Sequence, residues 1–302
     1  MFYKMLGLFM YILAGFIVRK RGILKEEHTK GLSIFLMDLA LPALVITSLQ
    51  MPFSKAQFTN GIKVLGIGFL SYIVMGIVAY LVIKIFKVKK DRKNIVIFML
   101  LFANTGYMGY PVVMSIFGKS GLFDAVLLNA WFTVFLWTAG IMLLSGNKNG
   151  FKIKNLINPG TVSLIIGFSL FMLDFQIPNI IFEPLKMLGD TTIPIAMCLV
   201  GVLLGETSII KVFKSKLLLM VSFFRLIGIP FIFMLVIWMF KLERQTFEVA
   251  VLITAMPVAA NTAIFSRRFD LDYTFASEGI LITTVLSLLT IPVWTYILPL
   301  IY

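Results

Sequence analysis

Asn104-Thr105-Gly106-Tyr107-Met108-Gly109-Tyr110-Pro111 lies in the middle of an apolar run from Asn94 to Phe117 and interrupts it. A continuous helix does not hold such a stretch cheaply. Proline removes a backbone donor and clashes with the preceding turn at about 3 kcal/mol, and each glycine costs up to about 1 kcal/mol relative to alanine. The same arrangement recurs at Met256-Pro257-Val258-Ala259-Ala260-Asn261-Thr262. Broken backbone at membrane depth persists only where protein or water satisfies the freed groups, so both stretches are expected to line a cavity. Crossing near the midplane, their half-helix amino termini would turn unpaired N–H groups and positive dipole ends toward an anion. The plainer reading keeps Pro111 and Pro257 as kinks in packed helices.

The surrounding composition requires lipid as the solvent. Of 302 residues 60% are hydrophobic and only 14% charged, with a mean hydropathy of +0.99. A soluble domain has no way to hide that much apolar surface. Each span with its loop takes roughly 30 residues, which leaves room for about ten. Apolar runs between charged breaks predict helices near 2–18, 31–50, 61–86, 94–117, 121–145, 160–178, 183–205, 216–240, 247–266 and 275–301. The first run is short and follows Lys4, as a signal peptide would. It lacks a small-residue cleavage site and meets Arg19, Lys20 and Arg21 at once, so it reads as a retained helix.

Lys and Arg crowd into alternate loops: Arg19 to Lys30, Lys84 to Lys93, Lys148 to Lys154, Lys211 to Lys216, and Arg267 with Arg268. Cytoplasmic loops retain such an excess, which places these five inside and both termini outside the cell membrane. The same bias accounts for the net charge of +13. No basic stretch interleaves exposed aromatics as a base-stacking surface would, so nucleic acid is not an expected partner. The single Cys198 excludes an intramolecular disulfide and a multi-cysteine metal site. The single His28 lies in a charged loop beside Glu26 and Glu27 and reads as a solvated residue, so neither a metal nor a cofactor is expected.

Ten spans divide into two sets of five, and an odd count makes the second set enter the membrane from the opposite side. Asp38-Leu-Ala-Leu-Pro42 in the second span is matched by Asp190-Thr-Thr-Ile-Pro194 in the seventh. Asn104-Thr105 and Asn261-Thr262 match in the fourth and ninth, each near a proline. The expected architecture is an all-α integral membrane protein of about ten transmembrane helices. It comprises two inverted five-helix repeats, residues 1–145 and 156–302, joined by a cytoplasmic linker at 146–155, with broken crossover helices 4 and 9.

Asp38, Asp190 and Arg225 are the ionisable residues deepest inside the predicted spans. A charge near the bilayer centre costs at least about 2.5 kcal/mol on insertion scales, so each requires a partner or water. The aspartates read either as polar links between helices or as coupling and gating groups. Arg225 is left with three roles: pairing with an aspartate, attracting an anionic substrate, or a packing salt bridge. Gly201-Val-Leu-Leu-Gly205 fits a small-xxx-small helix contact. An intramembrane aspartyl protease is a poor fit, because Met187 stands where its G-x-G-D signature needs glycine. Neither H-E-x-x-H nor a serine elbow occurs, so the chain does not read as an enzyme.

At these residues the chain resembles the auxin efflux carrier family, which includes plant PIN-type carriers and bacterial permeases. Gly15-Phe-Ile-Val-Arg-Lys-Arg-Gly-Ile-Leu24 resembles the family's G-x-I-x-R-K-x-G-I stretch. Asn104-Thr105, Gly109 and Pro111 match its N-T-x-x-x-G-x-P pattern, and Arg225 with Pro230 its R-x-x-x-x-P. Asp190, Ala196, Met197 and Gly201 resemble its seventh helix. Two departures stand out: plant members carry a second proline about where Thr262 stands, and their long hydrophilic loop is here only Gly146 to Asn155.

The resemblance implies a scaffold domain, a transport domain holding crossed helices 4 and 9, and an elevator-like movement. It implies an organic anion as substrate, auxin-like or a mono- or dicarboxylate such as malate or malonate. The expected substrate-binding residues are Asn104, Thr105, Tyr107, Pro111, Pro257, Asn261 and Thr262, with Asp38, Asp190 and Arg225 in coupling or gating. H+ or Na+ is the expected coupling partner, the lipid bilayer the surroundings, and a homodimer an admissible assembly. An anion channel or a transporter-derived membrane sensor is the alternative on the same fold.

Overall fold

The computed structural model describes residues 2–146, 157–206 and 212–302. The linker beyond Gly146 and the basic residues Lys148, Lys152, Lys154 and Lys211 lie outside these. The described chain is helical, and its one β-type pairing is an isolated antiparallel bridge between Ala103 and Val258. Six of its helices are long and apolar enough to cross a membrane: Glu27–Ser48, Lys55–Ile85, Thr105–Ser145, Asn179–Gly205, Lys216–Trp238 and Tyr273–Ile301. Phe2–Lys20, Lys90–Leu101, Pro159–Met172, Arg244–Thr254 and Asn261–Arg268 are further, shorter helices.

The long helices are not uniform, and proline accounts for most of their irregular turns. Among the described residues, π-helical turns occupy Leu36–Ala40, Thr105–Gly109, Leu136–Gly140 and Phe224–Gly228; the first, second and fourth end two residues before a proline, Pro42, Pro111 and Pro230, and the third has none nearby. A proline at position i has no N–H for the carbonyl at i−4 and pushes that carbonyl aside, so one residue bulges into the preceding turn. The carbonyl freed by Pro230 belongs to Leu226, and the Trp294 indole N–H donates to it at 2.8 Å.

The chain forms two compact units that interleave along the sequence. The first gathers residues 1–66, 106–133 and 153–206, and the second 67–105, 134–152 and 207–302. Each therefore draws on both sequence halves.

Glycine contacts close the first unit. Helix Phe2–Lys20 lies against Thr192–Glu206 so tightly that a Cβ on Gly201 would stand 1.9 Å from the Ile12 carbonyl oxygen, and one on Gly15 2.0 Å from that of Cys198. Gly189 meets the Leu44 backbone N at 2.9 Å in the same sense. With no large hydrophobic gain between helices in lipid, small residues that let backbones touch supply the dispersion contacts instead. Gln50 joins two turns of this unit: its side chain donates to the Phe175 carbonyl at 3.3 Å and accepts the Ile177 N–H at 2.8 Å. The Asp174 carboxylate accepts the Phe53 N–H at 2.9 Å.

Two sequence expectations change here. The helix expected over 160–178 ends at Met172, because Asp174 turns the chain with a φ of 49°. The helix expected over 183–205 begins at Asn179 and breaks at Thr191, three residues before Pro194. Gly118, at φ 71°, separates the helices expected at 94–117 and 121–145.

In the second unit Tyr273–Ile301 packs against Lys216–Phe223, Arg244–Thr254 and Asn261–Arg268. Arg92 pairs with Asp272 at 3.0 Å and stacks 4.5 Å from the centre of the Phe275 ring. Asn94 donates to the Leu143 carbonyl at 2.8 Å. The chain end is tied down by the Phe247–Tyr302 ring stack at 4.4 Å and by Arg244, which bonds the Pro299 carbonyl at 2.8 Å.

Candidate functional site

Helix Lys90–Leu101 ends where Phe102 turns to extended backbone, φ −109° and ψ 111°. Helix Arg244–Thr254 ends at Ala255 and resumes at Asn261. The two unwound stretches run side by side in opposite directions, as the Ala103 to Val258 bridge records. Asn104 N–H donates to the Pro257 carbonyl at 2.7 Å, and Ala259 N–H to the Phe102 carbonyl at 3.0 Å. The Val258 N–H, facing away from that pairing, donates to the Thr283 hydroxyl at 3.2 Å. Each break thus satisfies the other's backbone, which is what allows irregular chain inside an apolar body.

The carboxyl ends of the two half-helices converge on Arg225. Its Nε donates to the Met256 carbonyl at 3.0 Å and its Nη1 to the Leu100 carbonyl at 2.7 Å and the Met75 sulfur at 3.4 Å. Nη2 donates to the Thr254 carbonyl. The side chain is fully buried, the largest to be so among the described residues. Asp38 and Asp190 are not its partners, which corrects the expectation of an ion pair. Helix ends leave their last carbonyls without intrahelical donors and carry a negative partial charge, and a planar fork of N–H groups answers both needs at once.

Asn104 and Thr105 are buried beside this crossing, at 6% and 5% exposure, and Asn261 is half-buried at the start of its helix. Thr262 is fully buried, and among the described residues its hydroxyl has no hydrogen-bond partner. The row of unpaired N–H groups expected at Asn261 is shorter than the sequence implied. Thr262 and Ala263 N–H groups turn back onto the carbonyls of Ala259 and Ala260, at 3.0 and 3.2 Å.

Asn104, Thr105, Pro257, Asn261 and Thr262 all belong to the second unit, whereas the chain passes into the first at Gly106, taking Tyr107 and Pro111 with it. There Tyr107 is hydrogen-bonded to Ser33 and lies near Asp38, which sits exposed in the Leu36–Ala40 turn. Asp190 is also exposed, at the end of its helix, 3.3 Å from Lys186 Nζ, so its partner is a neighbour one helical turn away. Sequence reasoning missed Thr283, Trp294 and the full role of Arg225. A charged side chain five residues before a proline inside an apolar span was the available signal for the last.

A helical membrane body with two broken helices paired inside one compact unit defines a class of solute carriers. The family description "Membrane transport protein" matches residues 1–156 and 148–295. The chain belongs to this family, which is that of the auxin efflux carriers. It is similar to a transporter of Methanocaldococcus jannaschii, 31% identical over 298 residues and 95% of each chain. A transporter of Methanothermobacter thermautotrophicus is 26% identical over 298 residues and 97% of each chain. The auxin efflux carrier component 8 of Arabidopsis thaliana is 23% identical over 151 residues, covering 49% of this chain and 41% of its own. Family and relatives make the protein a multi-pass membrane transporter.

Proposed function

We propose that the protein is a secondary transporter of small organic anions, with the solute's carboxylate held beside Asn104, Thr105, Asn261 and Thr262 at the crossing. The observation that carries this reading is the asymmetry of charge around the breaks. Arg225 neutralises the two carboxyl ends at Leu100 and Thr254, while the amino end at Asn261 carries no side-chain cap. What remains near Asn104 and Asn261 is a positive dipole end with amide and hydroxyl groups, a setting suited to a carboxylate. The resemblance to auxin carriers supports an organic anion, auxin-like or a mono- or dicarboxylate.

In this reading the chain crosses the membrane ten times as two inverted repeats, 1–145 and 156–302. The pairings inside each unit support the sidedness read from Lys and Arg. Gln50 and Asp174 join two turns assigned outside, Arg92 and Asp272 join two assigned inside, and Arg244 joins an outer loop to the outer chain end. The second unit, holding both breaks, is the transport domain, and the first the scaffold. An elevator-like movement of one against the other exposes the site alternately, with Asp38 and Asp190 as coupling or gating groups.

Uptake into proteoliposomes tests the assignment. Asn104→Ala and Asn261→Ala are expected to lose radiolabelled carboxylate uptake across a panel including malate and malonate, while melting near the parent temperature. Full uptake by both removes these residues from the site.

A further inference from the structure

In carriers built on broken helices, the carbonyl oxygens at half-helix carboxyl ends commonly coordinate the ion that drives transport. Here three such oxygens, from Leu100, Thr254 and Met256, already face a cation that is part of the chain. We propose that Arg225 is a resident cation standing where an alkali ion would otherwise bind, so that the transport cycle needs no Na+ at the crossing. This rests on the transporter reading above and narrows its coupling partner.

The charges balance without a carboxylate. Each helix end carries roughly half a negative charge, so two ends together answer about one positive charge. Among the described residues no carboxylate is a partner of Arg225, and every oxygen it bonds there is a backbone carbonyl. The guanidinium is also fully buried, out of reach of solvent and solute in this conformation. It is therefore a positioning residue, tying the end of one broken helix to the end of the other and to Met75. The π-helical turn Phe224–Gly228 supplies the aim, since it widens the helix at Arg225 itself. Lysine has no equivalent reach: an ammonium is a point charge, and oxygens on two separate helix ends require a planar fork.

Purified parent, Arg225→Ala and Arg225→Lys are compared in NaCl and in choline chloride, by thermal melting in detergent and by malate uptake in proteoliposomes. The parent is expected to melt at the same temperature in both salts and to take up malate at rates within twofold. Arg225→Ala is expected to melt several degrees lower, and millimolar methylguanidinium chloride to restore much of that shift and raise uptake several-fold, with no effect on the parent. Arg225→Lys is expected to stay impaired and to respond weakly. A parent whose melting temperature rises with Na+, or whose uptake falls tenfold in choline, overturns the proposal. So does Arg225→Ala melting and transporting like the parent, or failing to respond to methylguanidinium while folded. Should Arg225→Ala not fold, the parent salt comparison decides alone. A parent that carries no carboxylate in either salt refutes the transport reading instead, and leaves the melting comparison to judge Arg225.

Discussion

Replacing Gly201 by alanine puts one methyl group where the structure has no room. Its carbon would stand 1.9 Å from the Ile12 carbonyl oxygen and 2.8 Å from the Phe16 nitrogen, all backbone atoms that no rotamer change relieves. An ordinary carbon to oxygen contact needs about 3.5 Å, so helices Phe2–Lys20 and Thr192–Glu206 must separate by more than 1 Å. A radial gap of that size forfeits a quarter to a half of each dispersion contact along the interface. The expected loss is about 2–3 kcal/mol, the upper part of the usual overpacking range. Gly15→Ala strains the same interface from the other side, at 2.0 Å from the Cys198 oxygen. Once one methyl has parted the helices the second costs less, so the double variant should fall well short of the sum. Gly66→Ala and Gly76→Ala are the controls: nothing lies within 4 Å of either added carbon. They should hold or gain stability, by up to about 1 kcal/mol of helix propensity. Thermal melting in one detergent reads all five. Gly201→Ala melting at or above Gly76→Ala, or full additivity with Gly15→Ala, would refute the packing argument.

Thr283→Val keeps the side-chain shape but takes the acceptor from the Val258 N–H. It should destabilise the second break by about 1–3 kcal/mol, seen as faster amide exchange at Val258 and Ala259. Trp294→Phe strands the Leu226 carbonyl freed by Pro230, and a similar loss in melting free energy is expected, with no change in the exchange of Val258. Asp190→Asn removes only an exposed pair with Lys186, so stability should move by less than about 1 kcal/mol. Any large loss of uptake in that variant then reports on gating and not on folding.

The membrane class was legible from residue content, because 60% hydrophobic residues in 302 leave no soluble solution. That a break falls near Asn104 and another near Pro257 was legible too, since proline and glycine act on the backbone within one turn, although the first unwinds at Phe102 to Asn104, ahead of the glycines, and Thr105–Gly109 is a π-helical turn. The tight glycine contact was legible at Gly201 and Gly205 as a spacing, though not the partner helix it touches. Charge content alone set Arg225 apart as expensive, and local rules then suggested a carboxylate for it.

That Arg225 bonds the carbonyls of Leu100, Thr254 and Met256 emerges from the packing of distant segments and not from the sequence. The same holds for the pairing of Ala103 with Val258 and for Thr283 and Trp294 serving freed backbone groups. Backbone carbonyls are present at every residue and leave no mark in sequence. Which of them is left without a donor depends on where two helices happen to end beside each other. That is fixed by packing between segments more than a hundred residues apart, and local propensity does not reach so far.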